Sequence, residues 1–95
     1  MRTVHKFPIP GPGRFCISMP VGAVVLCCKL QRQKPHVWAE VEDTAPLIEH
    51  TFFCAGTGHL LPPRQALTRY VGTVLMYDGD LVWHLYEMDA SATYE

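Results

Sequence analysis

The segment of this sequence best suited to chemistry is the Gly-Thr-Gly-His run at residues 56–59. Two glycines separated by one residue free the backbone to direct N–H groups at an anion such as phosphate. His59 could donate a further hydrogen bond to the same anion. The run lacks both the G-x-G-x-x-G spacing of a dinucleotide fold and the lysine of a phosphate loop. It therefore fits either an anion site or a tight turn in which glycine serves only the backbone geometry.

Two arginines and two aromatic residues could complete a nucleotide site around this run. The planar guanidinium fork of Arg64 or Arg69 suits a phosphate, provided that both side chains converge on one pocket. Tyr70 and Trp38 are candidates for stacking on a base. The predicted ligand-binding residues are Trp38, Gly56, Thr57, Gly58, His59, Arg64, Arg69 and Tyr70.

Trp38 shares the polar face of its segment with His36 and Glu40, where a large aromatic ring is seldom left in water. The ring could stack on a nucleobase, pack against another subunit, or lie beneath a loop of its own chain. These three explanations remain open at the level of sequence.

The cysteines and histidines form no recognisable catalytic or metal motif. Cys54 precedes His59 by five residues, but no third residue is identifiable to orient a base. The four cysteines show no C-x-x-C spacing, and no paired H-x-x-x-H occurs. We expect no enzyme activity, no catalytic residue, no metal and no cofactor, and we expect reduced thiols.

Charge is divided unevenly along the chain. The net charge is -1, yet the first 39 residues carry six basic residues and no acid, whereas the remainder carries two arginines and nine acids. Such asymmetry can indicate an anionic partner, unless the two halves fold together and mix their charges on one surface.

The elements that would position these residues are strands. Gly and Pro account for 7 and 8 of the 95 residues and fall in clusters that divide the chain into short segments. Val37, Ala39 and Val41 alternate with polar positions, as in a half-buried strand. An Asp-Gly turn at Asp78 joins two segments rich in β-branched and aromatic residues, which predicts a hairpin.

We predict an all-β fold, a small antiparallel sandwich or barrel of six to seven short strands. Residues 3–7 should form an edge strand and residues 24–30 a central strand that turns at Lys34 and Pro35 into the next. Trp83 should lie in the core, and only residues 63–69 could form a helical turn. Residues 1–88 would be a single domain and residues 89–95 a flexible tail.

Six motifs carry a family resemblance. They are HKFPI at 5–9, MPVGA at 19–23, VWAEV at 37–41, GTGH at 56–59, YVGT at 70–73 and LVWHLYE at 81–87. In this order they resemble an uncharacterised family of short bacteriophage and prophage proteins. Residues 14–18 and the tail after 87 lie outside the resemblance, which transfers no catalytic residue.

The resemblance implies a setting in which small phage proteins act by binding. We expect an antagonist of host defence that sequesters a small nucleotide-derived immune signal without catalysis. The alternative is a protein-binding module that inhibits a host protein or serves as a virion accessory or assembly component. We also expect a homo-oligomer, because a small sheet protein with 48% hydrophobic residues has edge strands to protect. We expect it in the host cytoplasm with no membrane partner, because no apolar segment reaches signal-peptide or bilayer-spanning length, and we expect no long nucleic acid as a partner.

Overall fold

The computed structural model describes residues 1–92, which form seven strands in two antiparallel sheets. The strands are β1 (Arg2–Pro8), β2 (Gly13–Pro20), β3 (Val24–Gln31), β4 (Lys34–Glu42), β5 (Leu47–Gly56), β6 (Leu67–Met76) and β7 (Leu81–Met88). One sheet has the order β1-β4-β3 and the other β2-β5-β7-β6. A single 3-10 turn, Arg64–Ala66, interrupts the strands, as expected for residues 63–69. The all-β prediction is confirmed, and no helix within residues 1–92 has the length and apolarity needed to cross a bilayer.

The core lies between the two sheets and follows the predicted alternation of β4. Val37, Ala39 and Val41 are all 0% exposed. From the four-stranded sheet, Phe52 and Leu85 are also fully buried, and burying a side chain of this size contributes about 1.5–3 kcal/mol. Trp83, which the sequence predicted to lie in the core, is partly buried and packs against this cluster.

The sheets approach each other along one side, where β3 lies against β6. Arg69 donates from Nη1 to the carbonyl of Val25 at 2.5 Å and to Oε2 of Glu87 at 3.1 Å. Gly72 is needed in the same place, because a Cβ on it would lie 2.9 Å from the Cys28 Sγ. Val25 and Cys28 of β3 are buried beside this junction, whereas Val24 and Leu26 of the same strand are 46% and 41% exposed. The expected central position of β3 is wrong, since it ends the β1-β4-β3 order.

The hairpin between β3 and β4 also turns earlier than predicted. Arg32 and Gln33 form the turn, with φ angles of 51° and 69°, and Lys34 and Pro35 already belong to β4. A two-residue hairpin of this kind needs positive φ at both central residues, which the ring of Pro35 forbids. The proline therefore falls in the strand.

Folding brings part of the basic first half against the acidic second half. Antiparallel pairing of β1 with β4 places Arg2 3.0 Å from Glu40. The amino-terminal ammonium of Met1 is bonded to Glu42, and to Asp43 at 2.8 Å. At this end of the sheet the charges are mixed.

The segment predicted as a tail begins beside the four-stranded sheet. Arg14 donates to the carbonyls of Ala90 and Ala92 at 2.5 and 2.8 Å. The Asp89 N–H donates to the carbonyl of Ala66 at 2.9 Å. Residues 93–95 of the predicted tail lie outside the described residues.

Candidate functional site, a pocket beside the Gly-Thr-Gly turn

The predicted Gly-Thr-Gly-His run forms a tight turn where β5 ends. The His59 N–H donates to the carbonyl of Gly56 at 3.1 Å, and Gly58 has a φ of 86°, which favours glycine. A Cβ on Gly56 would lie 2.9 Å from Nδ1 of His59. The backbone geometry of this turn thus favours glycine at both positions. The lack of a Cβ on Gly56 leaves room for the imidazole ring of His59 to fold back onto the end of β5.

A pocket of about 220 Å³ opens beside this turn. It is lined by Ala55, Gly56, Thr57, Gly58, His59, Leu61, His84 and Tyr86. The two β7 residues reach it because β5 pairs with β7, which sets Ala55 opposite His84. The alternation of β7 then points His84 and Tyr86 away from the core, since Leu85 between them is buried.

A chain of hydrogen bonds runs from the pocket along the outer face of this sheet. Thr57 Oγ1 lies 2.6 Å from His84 Nε2, and His84 Nδ1 lies 3.0 Å from Thr73 Oγ1. Thr73 Oγ1 in turn lies 2.5 Å from the Tyr70 hydroxyl. A neutral imidazole has one donor and one acceptor nitrogen. When His84 Nε2 donates to Thr57, the Thr57 hydroxyl keeps its own proton available for a group in the pocket.

The pocket therefore combines hydrogen-bond donors with apolar walls. Thr57 and His59 carry side-chain polar atoms, and Gly58 adds a backbone N–H that has no acceptor within residues 1–92. Tyr86 and Leu61 supply apolar surface. Pockets for drug-sized ligands typically measure about 300–1,000 Å³, so this one fits a single ring or phosphate group with its neighbouring atoms.

The structure gathers only part of the predicted ligand set. Gly56, Thr57, Gly58 and His59 line the pocket. Tyr70 does not line the pocket, but its ring packs edge-on against the ring of Tyr86, which does, with the ring centroids 5.5 Å apart.

The remaining three predicted residues lie elsewhere. Arg69 is engaged with Val25 and Glu87 at the junction of the sheets, and Arg64 is exposed on the 3-10 turn. Neither lines the pocket, so the convergence expected of the two arginines does not occur. Trp38 is on β4 in the other sheet.

His84 and Tyr86 line the pocket but were missing from the predicted set. Period-two alternation around the core residues Trp83 and Leu85 does place both on the outer face. The loop that they would meet, however, depends on the pairing of β5 with β7, which sequence periodicity does not reveal.

The two buried cysteines do not line this pocket, and their thiols stay protonated. Cys28 and Cys54 are buried in the core, and desolvation raises the pKa of each thiol to about 11. Neighbouring thiols, Cys27 for Cys28 and Cys28 for Cys54, add to the rise. Because Cys54 faces the core, it does not form a nucleophile pair with His59. Among residues 1–92 there is no group of three or more His, Cys, Asp or Glu side chains that could hold a metal ion.

Comparison with known proteins supplies a family. A family model described as a domain of unknown function (DUF7352) matches residues 1–94 of this chain. No curated protein and no solved structure matches it.

Proposed function

We propose that this chain, which belongs to the DUF7352 family of domains of unknown function, is a binding protein for a small nucleotide-derived ligand. The observation that carries the proposal is the pocket at the end of β5, where the Gly56 turn, His84 and Tyr86 meet. Its donors suit the oxygens of one phosphate, and its apolar wall suits an adjoining ring.

Thr57 is the residue on which this mode of binding depends most. Its hydroxyl is exposed to the pocket and is held by His84 Nε2 at 2.6 Å. A phosphate oxygen that accepts the Thr57 proton would fix the direction of the whole hydrogen-bond chain as far as Tyr70. His59 and the Gly58 N–H would complete the contacts to the anion.

The wider role that we propose is sequestration of a nucleotide immune signal by a phage-encoded antagonist of host defence. The resemblance to short phage proteins motivates this setting, and binding without chemistry would suffice for it. A pocket of this size would hold one phosphate and part of a nucleoside, leaving the rest of a cyclic oligonucleotide outside.

Isothermal titration calorimetry tests the binding. We would titrate the protein with adenosine monophosphate, adenosine, cyclic oligonucleotides and isomers of cyclic ADP-ribose. We expect heat with at least one phosphate-containing ligand and none with adenosine, and we expect the ligand to be recovered chemically unchanged. Absence of heat across the panel at high protein concentration would contradict the proposal.

A matched pair of threonine variants locates the site. Thr57→Val should weaken binding about tenfold, because it removes a hydrogen bond to a charged group while keeping the side-chain shape. Thr68→Val serves as the control, since Thr68 is an exposed threonine on β6 that does not line the pocket. Equal affinity in both variants would place the ligand elsewhere.

A protein-binding role is the second candidate, and an exposed apolar cluster favours it. Val21, Leu47 and Ile48 are 46%, 66% and 45% exposed at one end of the four-stranded sheet. A host protein or a virion component could cover them. A pull-down from infected cells separates the candidates, because stoichiometric recovery of a protein that Leu47→Lys abolishes would favour this role over sequestration.

We further propose that the protein self-associates. Within residues 1–92, β1 and β2 each pair with only one strand, which leaves an open edge on each sheet. Pairing of such edges between copies is a common route to a symmetric oligomer. Light scattering at micromolar concentration should give a multiple of 10.7 kDa, and a mass of 10.7 kDa would contradict self-association.

A further inference from the structure

The outer face of the three-stranded sheet carries an aromatic and basic surface that the pocket does not use. Strand pairing sets Lys6 and Cys27 on either side of Trp38, and Pro8 and Lys29 on either side of His36. The alternating residues Phe7, Val37 and Cys28 point inward. We call the outward group the Trp38 surface. Its members are Lys6, Lys29, Arg32, Lys34, His36 and Trp38.

The Trp38 surface contains four basic residues that form no ion pair with an acid of residues 1–92, namely Lys6, Lys29, Arg32 and Lys34. β4 runs from Lys34 at one end to Glu40 and Glu42 at the other, where these acids meet Arg2 and the amino terminus. At the opposite end, no carboxylate within residues 1–92 forms an ion pair with Lys29, Arg32 or Lys34. The positive φ of Arg32 and Gln33 places the arginine at the tip of the hairpin. Four of the six basic residues in the first 39 are thus concentrated here.

Trp38 is the one large aromatic residue on this surface. It is half-buried on the outer face, and it is not among the side chains that pack against the core. Its ring lies 5.9 Å from the ring of His36, with the planes tilted by 53°. The contacts of β4 within residues 1–92 are chiefly with β1 and β3, its neighbours in the sheet, and much less with β2 of the other sheet. The tryptophan is therefore placed to receive a planar group from outside the chain.

We propose that the Trp38 surface binds a short single-stranded nucleic acid. An aromatic ring on an open sheet face can stack on an unpaired base, while flanking lysines and arginines neutralise the phosphates of the strand. Base stacking in a duplex would prevent contact with Trp38, so the surface selects single strands. Three strands spaced about 4.8 Å apart offer room for a few nucleotides.

Fluorescence anisotropy with a labelled oligothymidylate of about eight nucleotides tests this surface. The full chain should bind it with an affinity that falls as salt rises, with a log-log slope of about -2 for three neutralised phosphates. Trp38→Ala should weaken binding about tenfold, and Trp38→Phe should retain most of it. The triple variant Lys29→Gln, Arg32→Gln, Lys34→Gln should bring the salt slope close to zero.

Arg64→Gln is the control for loss of a positive charge elsewhere on the protein, because Arg64 is exposed on the 3-10 turn outside the Trp38 surface. It should leave both affinity and slope unchanged. No binding by the folded protein, equal affinity for duplex DNA of the same length, or full affinity in Trp38→Ala would each overturn the proposal. The pocket proposal does not depend on the result, since Thr57 and His84 lie on the other sheet.

Discussion

Arg69 shows that the strands packed around a side chain determine which groups it can bind. From sequence it is a plausible phosphate ligand, because it lies close to the Gly-Thr-Gly-His run at residues 56–59. In the fold its guanidinium instead spans the junction of the two sheets, bonded to the Val25 carbonyl at 2.5 Å and to Glu87 at 3.1 Å. Both bonds come from Nη1 and hold the guanidinium at the junction of the sheets, away from the residues that line the pocket.

Arg69→Met should therefore lower the free energy of unfolding by about 1–3 kcal/mol, because it removes the donor to a partly buried carbonyl and the cation beside Glu87. Urea denaturation measures the change. Arg64→Met should alter stability by less than about 0.5 kcal/mol, as expected for an exposed position. Equal small effects in the two variants would show that Arg69 does not hold the sheets together.

The raised pKa values of the two buried thiols predict how the stability of the fold depends on pH. Burial raises the pKa of Cys28 and Cys54 to about 11, whereas the pKa of an unfolded thiol lies near its ordinary value of 9.0. The folded state thus favours the protonated thiols, and this contribution to stability is present in full below the unfolded pKa. It should be lost as pH rises from about 9 to about 11.

Denaturant unfolding at successive pH values measures this loss, with Cys28→Ala and Cys54→Ala compared against the parent chain. Each variant should show a shallower decline of the free energy of unfolding over that range. The accessible thiol of Cys16 should react with a disulfide reagent at neutral pH, well before the two buried thiols. Rapid reaction of all four thiols in the folded protein would contradict their assigned burial.

At the scale of elements, the β3–β4 hairpin contains a local strain that sequence analysis did not anticipate. Arg32 and Gln33 both have positive φ, which costs roughly 1–2 kcal/mol for a residue with a Cβ. Gln33→Gly should raise the free energy of unfolding by about 0.5–1 kcal/mol. Gln31→Gly, two residues earlier inside β3, should lower it, because glycine weakens a strand. Calorimetric melting compares the two, and a loss of stability in Gln33→Gly would contradict the assigned turn.

The strands could be predicted from sequence where their pattern is local. Val37, Ala39 and Val41 alternate cleanly, and Asp78 with Gly79 marks a turn, so β4 and the β6–β7 hairpin follow directly. The central position assigned to β3 was wrong, because an apolar run does not reveal which strands flank it: β3 ends its sheet, and its residues Val24 and Leu26 are 46% and 41% exposed. Contact between distant segments leaves no periodic signal in either one.

The candidate site could likewise be predicted only where it depends on local sequence. The Gly-Thr-Gly-His turn is encoded locally and was identified from its glycines. His84 and Tyr86 reach the pocket only through the pairing of β5 with β7. Arg64, on the 3-10 turn, and Arg69, on β6, do not line it. Closeness in sequence to the Gly-Thr-Gly-His run suggested the two arginines as ligands, whereas strand pairing places His84 and Tyr86 at the pocket.

At the scale of the whole molecule, two broad outer faces carry the two proposed binding surfaces. The Cα atoms extend over 40 × 34 × 16 Å, so the sandwich is flat and its core is one layer thick. The pocket lies on the outer face of the four-stranded sheet, and the Trp38 surface lies on the outer face of the three-stranded sheet. Substitutions on one face should add independently to those on the other.

The central claim is that the pocket beside the Gly-Thr-Gly turn holds a phosphate-bearing nucleotide. The most direct measurement is a two-dimensional ¹H–¹⁵N NMR titration of the full chain with adenosine monophosphate. The amide signals of Thr57, Gly58, His59 and His84 should shift together and saturate, while the Thr57→Val variant should need about tenfold more ligand to reach the same shifts. Saturating shifts confined to other residues, or no saturating shifts at all, would contradict the claim.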